Sequence, residues 1–171
     1  MLRLGDGTAV AFRPLVSADR SWIAAAVAGL SPESRYRRFL VPLRTLSEAM
    51  LIRLVDDVDG TDHVAFVAII NPGEEAKQAR VGVARYVRLV AEPAVAEFAI
   101  TVSDLLQAKG LGKLLARHAA SHALGNGITH FAATVGADNE ASLRLLRRLG
   151  DVSERRYTGP GILELRIALD H

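Results

Sequence analysis

The chain has 171 residues, of which half are hydrophobic, 23% charged and 5% aromatic, with a formal net charge of +2; this is the composition of one folded domain, residues 1–171, with an aliphatic core, and it excludes disorder. The absence of cysteine excludes disulfides, thiolate catalysis and cysteine-ligated zinc, and the near-balanced charge argues against a nucleic-acid binder. No 18-residue apolar run or signal-peptide core is present, which predicts a soluble, cytoplasmic protein with no membrane partner.

In chain order, Thr8–Leu15 reads as an opening strand closed by Pro14. A helix over Ser17–Leu30 follows with Ser17 as its N-cap, then a second over Ser31–Leu40 with Ser31 at the cap and Pro32 at the first helical position. Leu46–Asp56 is a third helix capped by Ser47. His63–Ile70 is a near-continuous apolar strand ended by Asn71-Pro72-Gly73, and Ala79–Val90 and Ala94–Val102 continue an antiparallel meander. A helix runs to about Leu124 and stops at Gly125-Asn126-Gly127. The strand Ile128–Val135, a helix over Asn139–Gly150, and strands over Val152–Tyr157 and Ile162–Leu169 complete a mixed α/β layout, with helices covering a sheet.

The stretch "QAKGLGKLLARHA" joins strand to helix with two glycines and two lysines where Ser or Asp would ordinarily cap. A helix N-terminus carries unpartnered N–H groups and a partial positive charge. Gly110 and Gly112 remove two Cβ atoms where an anion would approach, and they allow the backbone to turn successive N–H groups inward. Lys109 and Lys113 add charge, and Gln107 supplies an amide to fix the loop or reach a ligand. Leu114 after Gly112-Lys113 breaks the P-loop pattern, and Leu115 stands where a dinucleotide fingerprint needs its third glycine. By itself the loop reads equally as a pyrophosphate cradle or as a tight turn with no ligand.

Taken with its surroundings, Gln-x-x-Gly-x-Gly after a meander strand, followed by helix, strand and "ADNEASLRLLRRLG", resembles the GNAT superfamily of acetyl-CoA-dependent N-acyltransferases. "LSPESRYRRFL", "VGVARYVR" and "AEFAITVSDLLQAKGLG" are similar to the Pat-type protein lysine acetyltransferases of that superfamily. The resemblance implies a mixed, mostly antiparallel sheet of about six or seven strands flanked by helices. It also implies acetyl-CoA as cosubstrate with no metal, and a primary amine as acceptor, a protein lysine first and a small-molecule amine second; a non-catalytic acyl-CoA-sensing module is the remaining alternative. Backbone groups at Ile100 and Val102 would then pair with pantetheine. The loop residues Gln107, Ala108, Lys109, Gly110, Leu111, Gly112 and Lys113 would hold the pyrophosphate. Asn139, with Ser142 one turn on, would sit beside the pantetheine arm, or Asn139 serves only as an N-cap.

The resemblance assigns the general base to Glu97, the carboxylate inside "VAEFAITV". The apolar neighbours Val95, Phe98 and Ile100 would favour its neutral form; the other reading is a solvated side chain on an open face. Strict alternation sets Glu97 opposite Val102 unless a bulge shifts the phase. The tyrosine that many members carry as acid is absent, Leu146 standing in its place, so water or Ser142 is left to protonate the thiolate. Of the remaining candidates, His118 and His122 make a poor metal pair, and His63 and His130 are surface residues or alternative bases. Arg35, Arg37 and Arg38, with Tyr36, are a solvated face or contacts for an acidic partner. Arg144, Arg147 and Arg148 form a basic helix face, and Trp22 is a core residue. Oligomeric state is open between monomer and homodimer.

Overall fold

The computed structural model describes residues 1–170. Its elements are β1 (Leu2–Arg3), β2 (Ala9–Pro14), α1 (Arg20–Ala28), α2 (Pro32–Phe39), α3 (Glu48–Leu51), β3 (His63–Ile70), β4 (Ala79–Arg88), β5 (Val95–Val102), α4 (Leu111–Gly125), β6 (His130–Gly136), α5 (Glu140–Leu146), β7 (Gly150–Gly159) and β8 (Ile162–Leu169). One eight-stranded sheet runs in the order β1-β2-β3-β4-β5-β6-β8-β7. The α/β sheet flanked by helices is as expected, with one strand more because two residues at Leu2–Arg3 pair with Ala9 and Val10.

The apolar run of β3 is explained by burial on both faces. Val64, Phe66 and Ala68 enter the core under α4 and α5, whereas Ala65, Val67 and Ile69 enter a second core under α1 and α3. Leu111, Leu115, Ala116, Ala119, Ala120 and Ala123 form the buried stripe of α4, and its alanines let the helix lie close to the sheet. β8 alternates, burying Leu163, Leu165, Ile167 and Leu169, and β7 beyond it is an exposed edge. Gly150 opens β7 because a Cβ there would meet the Ala168 carbonyl oxygen at 1.8 Å.

Several boundaries differ from the expectations. Ser31 and Ser47 cap α2 and α3 as predicted, accepting from Ser34 N and Met50 N. Ser17 does not cap α1: Ser17–Asp19 form a 3₁₀ turn, and the Asp19 carboxylate accepts from Val16 N at 3.0 Å. The third helix is α only to Leu51 and passes into a π turn over Ile52–Asp56. The last helix stops at Leu146, so Arg147 to Leu149 form a turn.

The functional geometry originates where the sheet changes sense. All pairings are antiparallel except β5 with β6, which are parallel and share only Val95↔His130, Ala96↔Phe131 and Glu97↔Ala132. Past Glu97 the two strands part. The C-terminal half of β5 keeps β4 on one side and has no strand on the other.

Candidate active site

The β4–β5 register is unbroken from Gly82↔Val102 to Arg88↔Ala96. No bulge shifts the phase of β5, so Glu97 and Ala99 face the α1–α3 side while Phe98, Ile100 and Val102 face α4. Ile100 and Val102 thus stand on the strand segment without a β6 partner, with backbone groups open to an added extended chain. Phe98 and Ile100 do not enclose Glu97, contrary to the expectation from sequence; they lie on the other face, and the Glu97 side chain is exposed.

At the end of β5 the chain makes a 3₁₀ turn over Asp104–Leu106 and enters the glycine loop. Ala108 and Gly110 have φ of 62° and 88°, a left-handed conformation that turns successive N–H groups toward one concavity. Gly110 occupies the cap position of α4, and no side chain accepts from the helix start. Among the described residues, the N–H groups of Lys109 to Lys113 have no hydrogen-bond acceptor. A Cβ at Gly110 would touch nothing within 4 Å, and one at Gly112 would meet only Val102 Cγ2 at 3.8 Å and Leu145 Cδ2 at 3.9 Å. The N-terminus of α4 is an open, electropositive helix mouth beside the free segment of β5. Lys109 lies 3.7 Å from Asp6 at the rim.

Gln107 fixes this loop. Its Nε2 donates to Asp104 Oδ1 at 2.9 Å, to Ser34 Oγ at 3.2 Å and to Val102 O at 3.4 Å. Asp104 in turn accepts from Ser31 N at 2.9 Å and Ser34 Oγ at 2.5 Å. The Ser34 hydroxyl, then the Ser31 N–H, hold the Asp104 carboxyl below the usual carboxylate range. A sequence reading misses Asp104 because its partners are some seventy residues away. The contact straps the glycine loop to the N-terminus of α2.

Asn139 is the cap of α5, its Oδ1 accepting from Ser142 N at 3.2 Å, and it is buried at the end of β6. Leu146, at the position of the missing tyrosine, is 3% exposed and packs into the larger core.

On the opposite face a cleft of about 370 Å³ is lined by Glu97, Phe98 and Ala99 of β5, Ala132 and Thr134 of β6, Arg85 and Val87 of β4, His63, and Arg38, Phe39, Met50, Arg53 and Leu54 from the helices. Ala99 and Thr134 lie on either side of the place where β5 and β6 part, so the cleft opens onto that gap. Cross-strand pairing puts His63, Val87, Glu97 and Ala132 in one row and Ala65, Arg85 and Ala99 in the next. A neighbouring cavity of about 470 Å³ under α1 shares Arg38, Phe39, Leu54 and Arg85 with it.

Arg85, like Arg53, is a charged residue of this cleft that the sequence reading did not single out. It is 7% exposed. The π turn leaves the Leu54 carbonyl without a backbone donor, since Val58 N–H turns to Val55 O and Asp59 N–H to His63 O; Arg85 Nη1 donates to it at 2.8 Å. The same Nη1 lies 3.2 Å from His63 Nε2. Arginine has no acceptor, so Nε2 is the accepting nitrogen of a neutral ring, and burial followed by the Arg85 charge lowers the His63 pKa to match. His63 is therefore occupied as a partner of Arg85 and is not a free base. Burial, then the nearby Arg38 guanidinium, push Arg85 down to about 9, still cationic at neutral pH. Its signal in the sequence is a charged residue in the middle of the apolar run "VGVARYV".

The three arginines of α2 separate in function. Arg35 Nη1 clamps Ala28 O and Leu30 O while Nε donates to Leu43 O, and Arg37 pairs with Glu33 at 2.7 Å; only Arg38 lines the cleft. Tyr36 is exposed. Arg144 meets Glu140 on the solvent face. His118 and His122 pack on Phe66, with His122 Nδ1 hydrogen-bonded to the Tyr86 hydroxyl at 2.7 Å. No cluster of three metal-ligating side chains exists among the described residues, and no described helix is long and apolar enough to cross a membrane. Trp22 packs at the edge of the second core and lines the larger cavity.

Comparison with known proteins returns the same assignment from three directions. The profile of the Acetyltransferase (GNAT) family matches residues 30–151. An acetyltransferase of Pseudomonas aeruginosa is 35% identical over 152 residues, covering 89% of this chain and 80% of that protein. The acetyltransferase Pat of Mycolicibacterium smegmatis is 32% identical over 155 residues, covering 91% of this chain but 45% of that protein. Among solved structures, the GNAT domain of S. lividans PAT superposes with a TM-score of 0.85 at 28% identity, covering 98% of this chain and 95% of that one.

Proposed function

Since this chain belongs to the GNAT family of acetyl-CoA-dependent acetyltransferases, we propose that it moves the acetyl group directly from acetyl-CoA to a primary amine seated in the cleft, with Glu97 as general base. The observation that carries this reading is the position of Glu97. It is the last β5 residue paired to β6 and lines the cleft where that pairing ends. The loop from Gln107 to Lys113 receives the pyrophosphate, Lys109 to Lys113 through their N–H groups, and Ile100 and Val102 bind the pantetheine arm as a strand neighbour. Asn139 and Ser142 border the arm at the start of α5.

A thioester supplies an activated acyl group and a stable leaving thiolate. The acceptor amine must reach it neutral, against a free lysine pKa near 10.4. Glu97 takes that proton directly or through a water. The amine nitrogen bonds to the acetyl carbon, the carbon–sulfur bond breaks with its electron pair going to sulfur, and the surplus proton that the nitrogen sheds as the amide forms reaches the thiolate through water or Ser142. Leu146, buried and apolar, takes no part. The likeness to the S. lividans PAT domain and to Pat supports a protein lysine as acceptor. The test is Glu97→Gln, which keeps size and polarity. It should lower kcat about 10²- to 10⁴-fold with the calorimetric affinity for acetyl-CoA unchanged; a kcat within tenfold of the wild type would remove Glu97 from the mechanism.

A further inference from the structure

Three guanidinium groups converge on the cleft beside Glu97. Arg38 and Arg85 are close enough for the charge of one to act on the other, and both Arg85 and Arg53 act on His63. None of the ion pairs among the described residues includes Arg38, Arg53 or Arg85. Arg85 uses only Nη1 for protein contacts, to Leu54 O and His63 Nε2. Its Nε and Nη2 groups have no protein acceptor, yet neither is a sealed, unsatisfied atom, so they reach the open space of the two adjoining cavities that Arg85 lines, one of which holds Glu97. Arg85 is flanked in its row by Ala65 and Ala99, two of the smallest side chains, which leaves the space above it clear.

A nearly buried arginine beside two further arginines, with Glu97 the one carboxylate lining the cleft among the described residues and ion-paired to none of them, leaves positive charge that an entering anion would offset. Guanidinium groups in a concave site are suited to a carboxylate or phosphate, which they bind in a forked, paired geometry. Arg85 and Glu97 are diagonal neighbours across β4 and β5, since Arg85 pairs with Ala99 and Val87 with Glu97. Their Cα atoms are then about 7–8 Å apart, so an anion on Arg85 and an amine at Glu97 are a few bonds apart within one small molecule or short peptide.

We propose that this arginine cleft is the specificity element of the enzyme, taking an acceptor whose reactive amine is accompanied by a carboxylate, which Arg38, Arg53 and Arg85 hold while the amine faces Glu97. This rests on the transfer reading above and names its substrate class. A free amino acid and a lysine beside an acidic residue both present the required pair of groups.

The test separates binding from transfer. Wild-type protein saturated with coenzyme A, which has no acetyl group to give, is titrated calorimetrically with L-glutamate and L-lysine, with their carboxyl-amidated counterparts, and with lysine peptides flanked by Asp or by Ser. The same ligands are then assayed for acetylation with acetyl-CoA. Carboxylate-bearing ligands should bind about 10- to 100-fold more tightly than their neutral counterparts. Arg53→Gln and Arg38→Gln, whose side chains are not core residues, should each remove about tenfold of that preference and raise KM more than kcat. Arg85→Met should remove the most, but Arg85 also holds Leu54 O, so the other two variants carry the result. Preference for free amino acids assigns a small-molecule source, and preference for Asp-flanked peptides a protein source. Equal binding of charged and neutral ligands, no binding of any, or a preference that survives both substitutions overturns the proposal even if neutral amines are acetylated. A carboxylate preference in binding with no acetylation of any ligand upholds the arginine cleft and overturns the transfer reading instead.

Discussion

The glycine loop follows the C-terminal end of β5 and the arginine cleft opens near the middle of the same strand, yet they are made of different material. The loop is backbone: consecutive N–H groups of Lys109 to Lys113, presented because Ala108 and Gly110 adopt positive φ. The cleft is side chain: Glu97 from β5, Arg85 from β4, His63 from β3, Arg53 from a π turn and Arg38 from α2. Backbone donors bind any molecule with the right diphosphate and are specified by a few adjacent residues. Side chains gathered from five elements are suited to read the remainder of a substrate, and each element can change independently. On the proposed function, this division would let one scaffold keep its acyl donor while its acceptor varies.

Three substitutions probe this division, beyond those already described. The largest effect is expected at Asp19, 1% exposed, which receives two hydrogen bonds of 2.7 Å from Arg13 and anchors the start of α1. Asp19→Ala leaves Arg13 without its partner and should cost about 3 kcal/mol in chemical denaturation, the low end for a broken buried pair because Arg13 is partly exposed. The Arg13 hydrogen bond, then the Val16 N–H, hold the Asp19 carboxyl below its usual range despite desolvation. Its contribution is therefore complete above the unfolded carboxylate value, near 3.9, and is lost as pH falls through the lower folded value. The stability difference between wild type and Asp19→Ala should narrow below pH 4, and a difference independent of pH would contradict the assignment. Acetyl-CoA affinity should be little changed well below the melting temperature, because the cradle lies elsewhere.

Next in size, Gly110→Val should weaken acetyl-CoA binding about 100-fold, equivalent to about 2.7 kcal/mol. At φ 88° a β-branched residue is strained, and relaxing it swings the first N–H groups of α4 away from their common focus. Calorimetry should register this loss, while the carboxylate preference of the arginine cleft persists. Loss of both together would show that the two sites are not separable.

The smallest effect tests the strap between them. Asp104→Asn removes charged acceptors from Ser31 N–H and Ser34 Oγ at the start of α2, whose other end carries Arg38 toward the cleft. A loss of about 1 kcal/mol should appear as a roughly fivefold rise in both the acetyl-CoA dissociation constant and the acceptor KM. A change in only one of them would confine Asp104 to that side.

Much of the local architecture was legible because its signals are local. Gly110 and Gly112 at a helix mouth, Ser31 and Ser47 as caps, and the alternating β8 each depend on neighbours in the chain. Ser17 failed as a cap because Asp19, two residues on, reaches back to Val16 N and is held there by Arg13. The helix over Leu46–Asp56 gave way to a π turn at Ile52, an irregularity without a sequence signal, and that turn frees the carbonyl Arg85 occupies. Arg35, Arg37 and Arg38 are alike in sequence, and only packing separates a clamp, a surface pair and a cleft residue.

The sequence alone determined the α/β order of elements, the apolar faces that bury both sides of β3, and the glycine-rich entry to α4, because periodicity and backbone conformation are properties of adjacent residues. The tertiary structure alone decided that β5 and β6 part after Glu97, that no bulge alters the phase of β5, and that three arginines meet beside that carboxylate. Strand pairing and the convergence of charges are set by long-range contacts, whose energies no short stretch of chain contains.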